Sequence, residues 1–159
     1  MTFASFTALL GFLALAAFFA SSGAVFTPGP WYRALAKPSW TPPDWAFPVV
    51  WAILFTLIAV SGWLVFEAAG FVILPFAVYL GQYVLNGLWS YLFFGIRRPD
   101  LAFFNVVALW LGIVATILVF APISQTAALL LAPYLLWVTI AGCLNWSIWR
   151  RNPQGFALG

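Results

Sequence analysis

The run FPVVWAILFTLIAVSGWLVF, residues 47–66, decides the fold class. It carries no charge, and at 1.5 Å per residue a helix of this length covers about 30 Å, the thickness of a bilayer's hydrocarbon core. Four further runs read the same way, at 3–26, 71–94, 101–121 and 127–149. In lipid every backbone N–H and C=O must be paired within the protein, which leaves helices or closed barrels. Barrel strands alternate polar and apolar residues and turn often. These runs do neither, so the expectation is an all-α, polytopic bundle of five transmembrane helices, forming one domain over 1–159.

Composition agrees. Of 159 residues, 65% are hydrophobic and 6% are charged, against about 25% charged in an ordinary soluble domain. Aromatics reach 20%, too many for interfacial belts alone, and they point to an aromatic-lined interior. There is no His and a single Cys, Cys143, which excludes an intrachain disulfide and a Cys/His metal cluster. The first run lacks a basic start and is longer than a signal core, so it is read as a helix.

The links between runs are short, except residues 27–46, which are too long and too patterned for a mere connector. With five crossings, Arg33 and Lys37 in this first loop, Arg97 and Arg98 in the third link, and Arg150 and Arg151 in the tail all fall on one side. Those are the six basic residues of the chain, and the other side has Glu67. The positive-inside rule then puts the N-terminus outside and the C-terminus in the cytoplasm of a bacterial inner membrane. Within the loop, Thr41-Pro42-Pro43-Asp44 reads as a helix start with Thr41 as N-cap, and Pro48 falls in the first turn. Pro133 should free the carbonyl of Leu129 and kink the last helix.

Polar side chains at membrane depth are rare and often functional. Here they are Gln82, Asn86 and Ser90, then Asn105 and Asn145. Gln82, Asn86, Trp89 and Phe93 share one face; Trp137, Ala141 and Asn145 share another, and Trp51 lies one turn beyond Pro48. Each amide alone serves as well for gluing helices together as for a pocket. Taken with the loop, the cluster suggests an aromatic cavity for a large, flat, mostly apolar ligand.

The loop segment Trp31-Tyr32 … Leu35 … Lys37-Pro38 … Trp40 … Pro42-Pro43 … Trp51 resembles the tryptophan-rich sensory protein family, also known as the translocator protein or peripheral benzodiazepine receptor (TspO) family. Asn86 … Trp89-Ser90 … Phe93-Phe94-Gly95 and Pro133-Tyr134-Leu135 … Trp137 … Leu144-Asn145 carry the same resemblance, which covers essentially the whole chain. It implies five helices and a pocket, capped by loop 27–46, that takes porphyrins, other tetrapyrroles and benzodiazepine-type drugs. The matching pocket positions are Tyr32, Trp40, Trp51, Asn86, Ser90, Trp137 and Ala141. Trp31 and Trp137 match tryptophans linked to light-dependent porphyrin breakdown. Phe55 stands where many members have Tyr. The family's sterol motif requires a Tyr shortly before a basic residue, and residues 145–149 before Arg150 have none, which argues against sterol binding.

Four functions follow for weighing. A receptor or carrier for tetrapyrroles fits best: Trp and Tyr supply stacking faces, and Arg33 or Lys37 can meet propionates at the surface. No cofactor is required, and porphyrin or haem enters as ligand. With no His, and Met only at position 1, the strong axial ligands for haem iron are missing, so the macrocycle is what would be recognised. A porphyrin-degrading enzyme has only the tryptophans, since no triad, metal cluster or buried acid–base pair is present. A proton-driven exporter lacks ionisable groups at depth. An assembly role rests on Ala77-x-x-x-Gly81, a small-residue pair suited to a homodimer and rotated away from Gln82 and Asn86. The expected partners are a tetrapyrrole or drug-like molecule, the lipid bilayer and a second copy; no nucleic acid is expected.

Overall fold

A computed structural model of the chain describes residues 2–26 and 29–153. The described residues are helical wherever they are regular. Helix α1 covers Phe3–Val25 and the short α2 covers Pro30–Ala34. Helix α3 is Ala46–Ala69, and α4 is Ile73–Ser90, continued by a π-helical turn, Tyr91–Gly95. Helix α5 is Pro99–Phe120, α6 is Gln125–Leu130 and α7 is Ala132–Arg151. Among the described residues four segments are long and apolar enough to cross a membrane: α1, α3, α5 and the joined α6–α7. Helix α4, expected from run 71–94, is less apolar because it carries Gln82, Asn86, Tyr79 and Tyr83.

Local chemistry sets the helix ends. The Thr2 hydroxyl accepts from Ser5 N at 3.2 Å to open α1, and Ser124 Oγ does the same for Ala127 N in α6; each satisfies a donor that has no partner inside the helix. Helix α5 opens on Pro99 with Asp100 in its first turn, and α7 closes on Arg150 and Arg151, charges matched to the helix dipole. Gly70, at φ 66°, ends α3 where a side chain would be strained, and its N–H reaches Phe66 O at 2.8 Å.

Two details differ from the sequence reading. Thr41 does not cap a helix. Its hydroxyl turns back to Pro38 O at 2.7 Å, and α3 starts only at Ala46, after a turn closed by Ala46 N to Pro43 O at 2.9 Å. Two consecutive prolines hold the preceding residues extended and supply no N–H, which delays the helix. Pro48 does fall in the first turn. The last run does more than kink: α6 stops at Leu130 and α7 starts at Ala132, with Leu131 N turned to Ala128 O at 3.2 Å. Pro133 cannot donate to Leu129 O, and the break also releases Ala127 O from its helical partner. Ser61 Oγ on α3 donates to that carbonyl at 2.7 Å, so a polar group freed in an apolar setting is met from a neighbouring helix.

The helices close a ring in which α1 packs on α3 and α4, α4 on α5, α5 on α7, and α3 on α6 and α7. The larger core cluster fills this ring with Leu54, Ile58, Tyr79, Tyr83, Ile113, Phe120 and Tyr134. Tyr79 OH donates to Ile58 O at 3.0 Å and meets Tyr83 OH at 3.2 Å. Trp63 Nε1 donates to Ser5 O at 3.1 Å, tying α3 to α1, and Trp110 Nε1 donates to Thr139 Oγ1 at 3.0 Å, tying α5 to α7. A smaller cluster at one end joins Tyr32 and Leu35 of the first loop to Phe93, Ala102, Leu144 and Ile148.

Candidate functional site

Four helices, α3, α4, α5 and α7, approach one another just beneath the smaller cluster, and between them lies a cavity. Trp51 and Phe47 come from α3, Asn86 and Trp89 from α4, and Trp137 and Ala141 from α7; Val106, Leu109 and Val138 complete the wall. Four aromatic rings therefore surround one amide. Helical periodicity produces this set. Asn86 and Trp89 are three apart and Trp137 and Ala141 four apart, so each pair shares a face of its helix. The cavity holds about 30 Å³, which is room for about one water.

The aromatic wall is fixed by edge contacts. Phe47 meets Trp137 edge-on at 5.8 Å between centroids, and Trp51 meets Tyr134 edge-on at 6.1 Å. Trp51 also lies 5.5 Å from Phe55, which stacks on Tyr83 at 6.1 Å. Asn86 Nδ2 donates to Tyr134 OH at 2.9 Å. Its Oδ1 has no partner among the described residues, so one acceptor is available at the cavity wall.

The other amides have different work. Asn145 Oδ1 accepts from Trp89 Nε1 at 2.9 Å and its Nδ2 donates to Pro99 O at 2.7 Å; it locks α4, α5 and α7 together. Asn105 Nδ2 donates to Leu85 O at 2.9 Å, joining α5 to α4. Both are helix glue. Gln82 is 1% exposed and packs beside Gly112 of α5, and neither of its amide atoms has a partner among the described residues. It does not line the cavity, although it shares a helix face with Asn86.

Of the seven pocket positions read from the sequence, Trp51, Asn86, Trp137 and Ala141 meet at the cavity. Tyr32 and Ser90 are buried nearby without lining it, and Trp40 is half exposed. Tyr32 packs edge-on against Phe93 and Phe94, and Trp31 against Phe93. Trp31 therefore belongs to the smaller cluster and Trp137 to the cavity. Burial first, then the nearby Asp44 carboxylate, pushes the Tyr32 phenol above its ordinary range, which keeps it uncharged against those rings.

The first loop is clasped rather than loose. Ala36 N donates to Asn152 Oδ1 at 2.9 Å, and Asn152 Nδ2 donates to Ala36 O at 3.0 Å and to Ile148 O at 2.7 Å. One side-chain amide thus mimics a strand pairing and binds the loop to the end of α7. Lys37 Nζ donates to Tyr32 O at 2.8 Å and sits 4.4 Å from the Tyr32 ring centroid, a cation–π contact that closes the loop on itself. The sequence reading missed Asn152. An amide just past a helix that ends in two arginines signals a cap, but its partner 116 residues away is invisible until the chain folds. The loop, the ends of α4 and α7 and the start of α5 share one end of the bundle, so Arg33, Lys37, Arg98, Arg150 and Arg151 lie there together. At that end Arg98 forms a bidentate pair with Asp100.

Comparison with known proteins assigns the chain to a family. A family model described as the TspO/MBR family matches residues 6–150. Protein CrtK of Rhodobacter capsulatus is 41% identical over 136 residues, covering 84% of this chain and 85% of that protein. The tryptophan-rich protein TspO of Chlorobaculum tepidum is 45% identical over 142 residues, covering 83% and 87%. The translocator protein of Homo sapiens is 36% identical over 126 residues, covering 77% and 75%. With the match spanning α1 to α7 and the aromatic cavity inside it, the chain is an integral membrane protein that belongs to the TspO/MBR family.

Proposed function

We propose that the chain is a membrane receptor or carrier that binds porphyrins and similar flat, largely apolar ligands in the cavity beneath the first loop. The observation that carries this reading is the wall itself: Phe47, Trp51, Trp89 and Trp137 around the single amide of Asn86. Indole faces stack on a macrocycle, and one amide acceptor orients it without demanding a charged ligand. The names borne by relatives, a sensory protein and a translocator, support a role in sensing or carrying.

At about 30 Å³ the cavity is closed to a macrocycle, since ligand sites run from about 300 to 1,000 Å³. Binding therefore requires the helices or the loop to part, and the measured affinity is the intrinsic affinity reduced by the open fraction. Propionates of a porphyrin belong at the basic end, where Arg33 is exposed. In the same reading α4, extended by Tyr91–Gly95, is the fifth crossing, which puts the basic end on the cytoplasmic side of a bacterial inner membrane. A homodimer would use the outer face of α4, where Ala77 and Gly81 are exposed and a Cβ at Gly81 meets nothing within 4 Å. Photochemical breakdown of the ligand is the alternative. It draws less from the geometry, because Trp31 lies outside the cavity that holds Trp137.

The test is tryptophan quenching by a metal-free porphyrin in the dark, in wild type and in a Trp51→Ala, Asn86→Ala double variant. Saturable micromolar quenching that weakens at least tenfold in the variant is the expected result. Quenching that never saturates, or is unchanged by the substitutions, refutes the reading.

A further inference from the structure

On the outer side of the bundle, α3 and α7 leave a second hollow of about 210 Å³. Its walls are Val50 and Ile53 on one side and Pro133, Leu136 and Ile140 on the other, with Trp137 at its floor. Every one of these side chains except the indole N–H is apolar, and Ile53 and Leu136 are well exposed, as lipid-facing residues are. Trp137 is the only one of them that also lines the central cavity. A single indole therefore separates a cavity too small for a ligand from a groove seven times larger that opens on the bilayer.

The seam around that indole is weakly held. Among the described residues no hydrogen bond joins α3 to α7, and the aromatic contacts between them are the edge-on pairs Phe47–Trp137 and Trp51–Tyr134. Trp137 Nε1 is buried and has no hydrogen-bond partner among the described residues, so none of their polar groups holds the ring in this rotamer. By contrast, Trp63, Trp89 and Trp110 each donate an indole N–H to a neighbouring helix. Less than two turns before Trp137 the helix is interrupted at Leu131 and restarted at Ala132, with Pro133 in its first turn, and α6 rather than α7 carries the hydrogen bond to α3, through Ser61 and Ala127. Interruptions of this kind are where helices bend.

We infer that the groove between α3 and α7 is a docking subsite for a flat apolar ligand dissolved in the bilayer, which reaches the cavity through this seam when Trp137 swings aside. The inference rests on the proposed function and adds the route and the phase from which the ligand is taken. A wholly apolar lining suits the macrocycle's face and offers nothing to a water-soluble molecule. Because Trp137 floors both spaces, its displacement joins them into one.

A plug in a passage changes rates and leaves equilibrium alone. Ile53→Trp and Ile140→Trp fill the groove from rim positions that contribute nothing to the cavity wall. Uptake of a metal-free porphyrin from lipid nanodiscs, followed by its absorbance, should show association and dissociation each slowed at least tenfold, with Kd within twofold of wild type. Wild-type rates in both plugged proteins overturn the inference. So does faster uptake in Asn152→Ala with no effect of the plugs, which would assign passage to the loop end. A second readout needs no porphyrin. The emission of Trp137, taken as the difference between wild type and Trp137→Phe, should be quenched by lipids brominated along their acyl chains. Emission indifferent to bromine overturns the seam; bromine quenching without any saturable porphyrin uptake refutes the proposed function and leaves the seam standing.

Discussion

Asn145 and Gln82 make a matched pair of buried amides, each 1% exposed, with opposite expected consequences. Asn145 makes two hydrogen bonds across three helices, to Trp89 Nε1 and to Pro99 O. Interhelical hydrogen bonds in membrane proteins contribute about 0.6 kcal/mol on average and up to about 1.7 each, so Asn145→Leu should destabilise the bundle by about 1–3 kcal/mol. The upper part of that range follows because Trp89 Nε1 would be left buried without an acceptor. Gln82 has no partner for either amide atom among the described residues. Replacing an unsatisfied buried amide by an apolar group of similar shape removes a desolvation penalty of about 1–3 kcal/mol, so Gln82→Leu should be neutral or stabilising. Reversible unfolding in mixed micelles, read by far-ultraviolet circular dichroism, measures both. A factor of about five or more in the folding equilibrium should separate the two variants, since 1.4 kcal/mol is a factor of ten. Equal losses in the two would refute the reasoning, because polarity rather than pairing would then decide the effect.

Three shorter predictions follow from the same geometry. A Cβ at Gly62 would lie 2.6 Å from Tyr79 OH and 2.9 Å from Phe12, so Gly62→Ala should break the Tyr79–Ile58 hydrogen bond and destabilise by about 1–3 kcal/mol; an unchanged melting temperature would contradict the close packing of α1, α3 and α4. Asn152→Ala removes both halves of the loop clasp, and faster amide hydrogen exchange over residues 33–40 with unchanged exchange in α5 is expected; unaltered exchange in the loop would show that Tyr32 and Leu35 alone hold it. Haem and metal-free porphyrin should bind within about threefold of each other, since the chain has no His and its single Met is the first residue; a strong preference for haem would require an axial ligand that the sequence reading did not find.

Much of this was legible before any coordinates. The apolar runs placed the long helices to within a few residues: 47–66 became Ala46–Ala69 and 101–121 became Pro99–Phe120. Length and apolarity are properties of a segment, so a segment reveals them. Asn86 with Trp89, and Trp137 with Ala141, were legible as pairs because helical spacing puts residues three and four apart on one face; joining them to Trp51 in one pocket rested on the family resemblance. What a segment does not reveal is its partner. Asn105 and Asn145 looked as fit for a pocket as Asn86, and only the packing of α4, α5 and α7 turned them into glue. The grip of Asn152 on Ala36 is of the same kind. Thr41 failed as a cap for a local reason, since the two prolines after it hold the chain extended past the expected start. Pro133 was read as a kink and produced a full interruption, with the freed Ala127 carbonyl met by Ser61 from another helix.

The loop and the cavity also separate two roles that the motif runs together. Tyr32 and Trp31 belong to the cluster that seats the loop on Phe93 and Phe94, while Trp51 and Trp137 belong to the cavity. Substitutions in the first group should act through loop closure, and in the second through direct contact with the ligand.

The most direct test of the central claim is to fill the cavity without touching its hydrogen bonds. Ala141→Trp puts a large ring where the ligand is proposed to lie, and Gly81→Leu adds comparable bulk to the open outer face of α4. Metal-free porphyrin binding, titrated in the dark in nanodiscs by its own absorbance, should weaken at least tenfold in Ala141→Trp and stay within twofold in Gly81→Leu. Binding unchanged in Ala141→Trp, with the protein folded, would contradict the account and move the ligand away from the aromatic cavity.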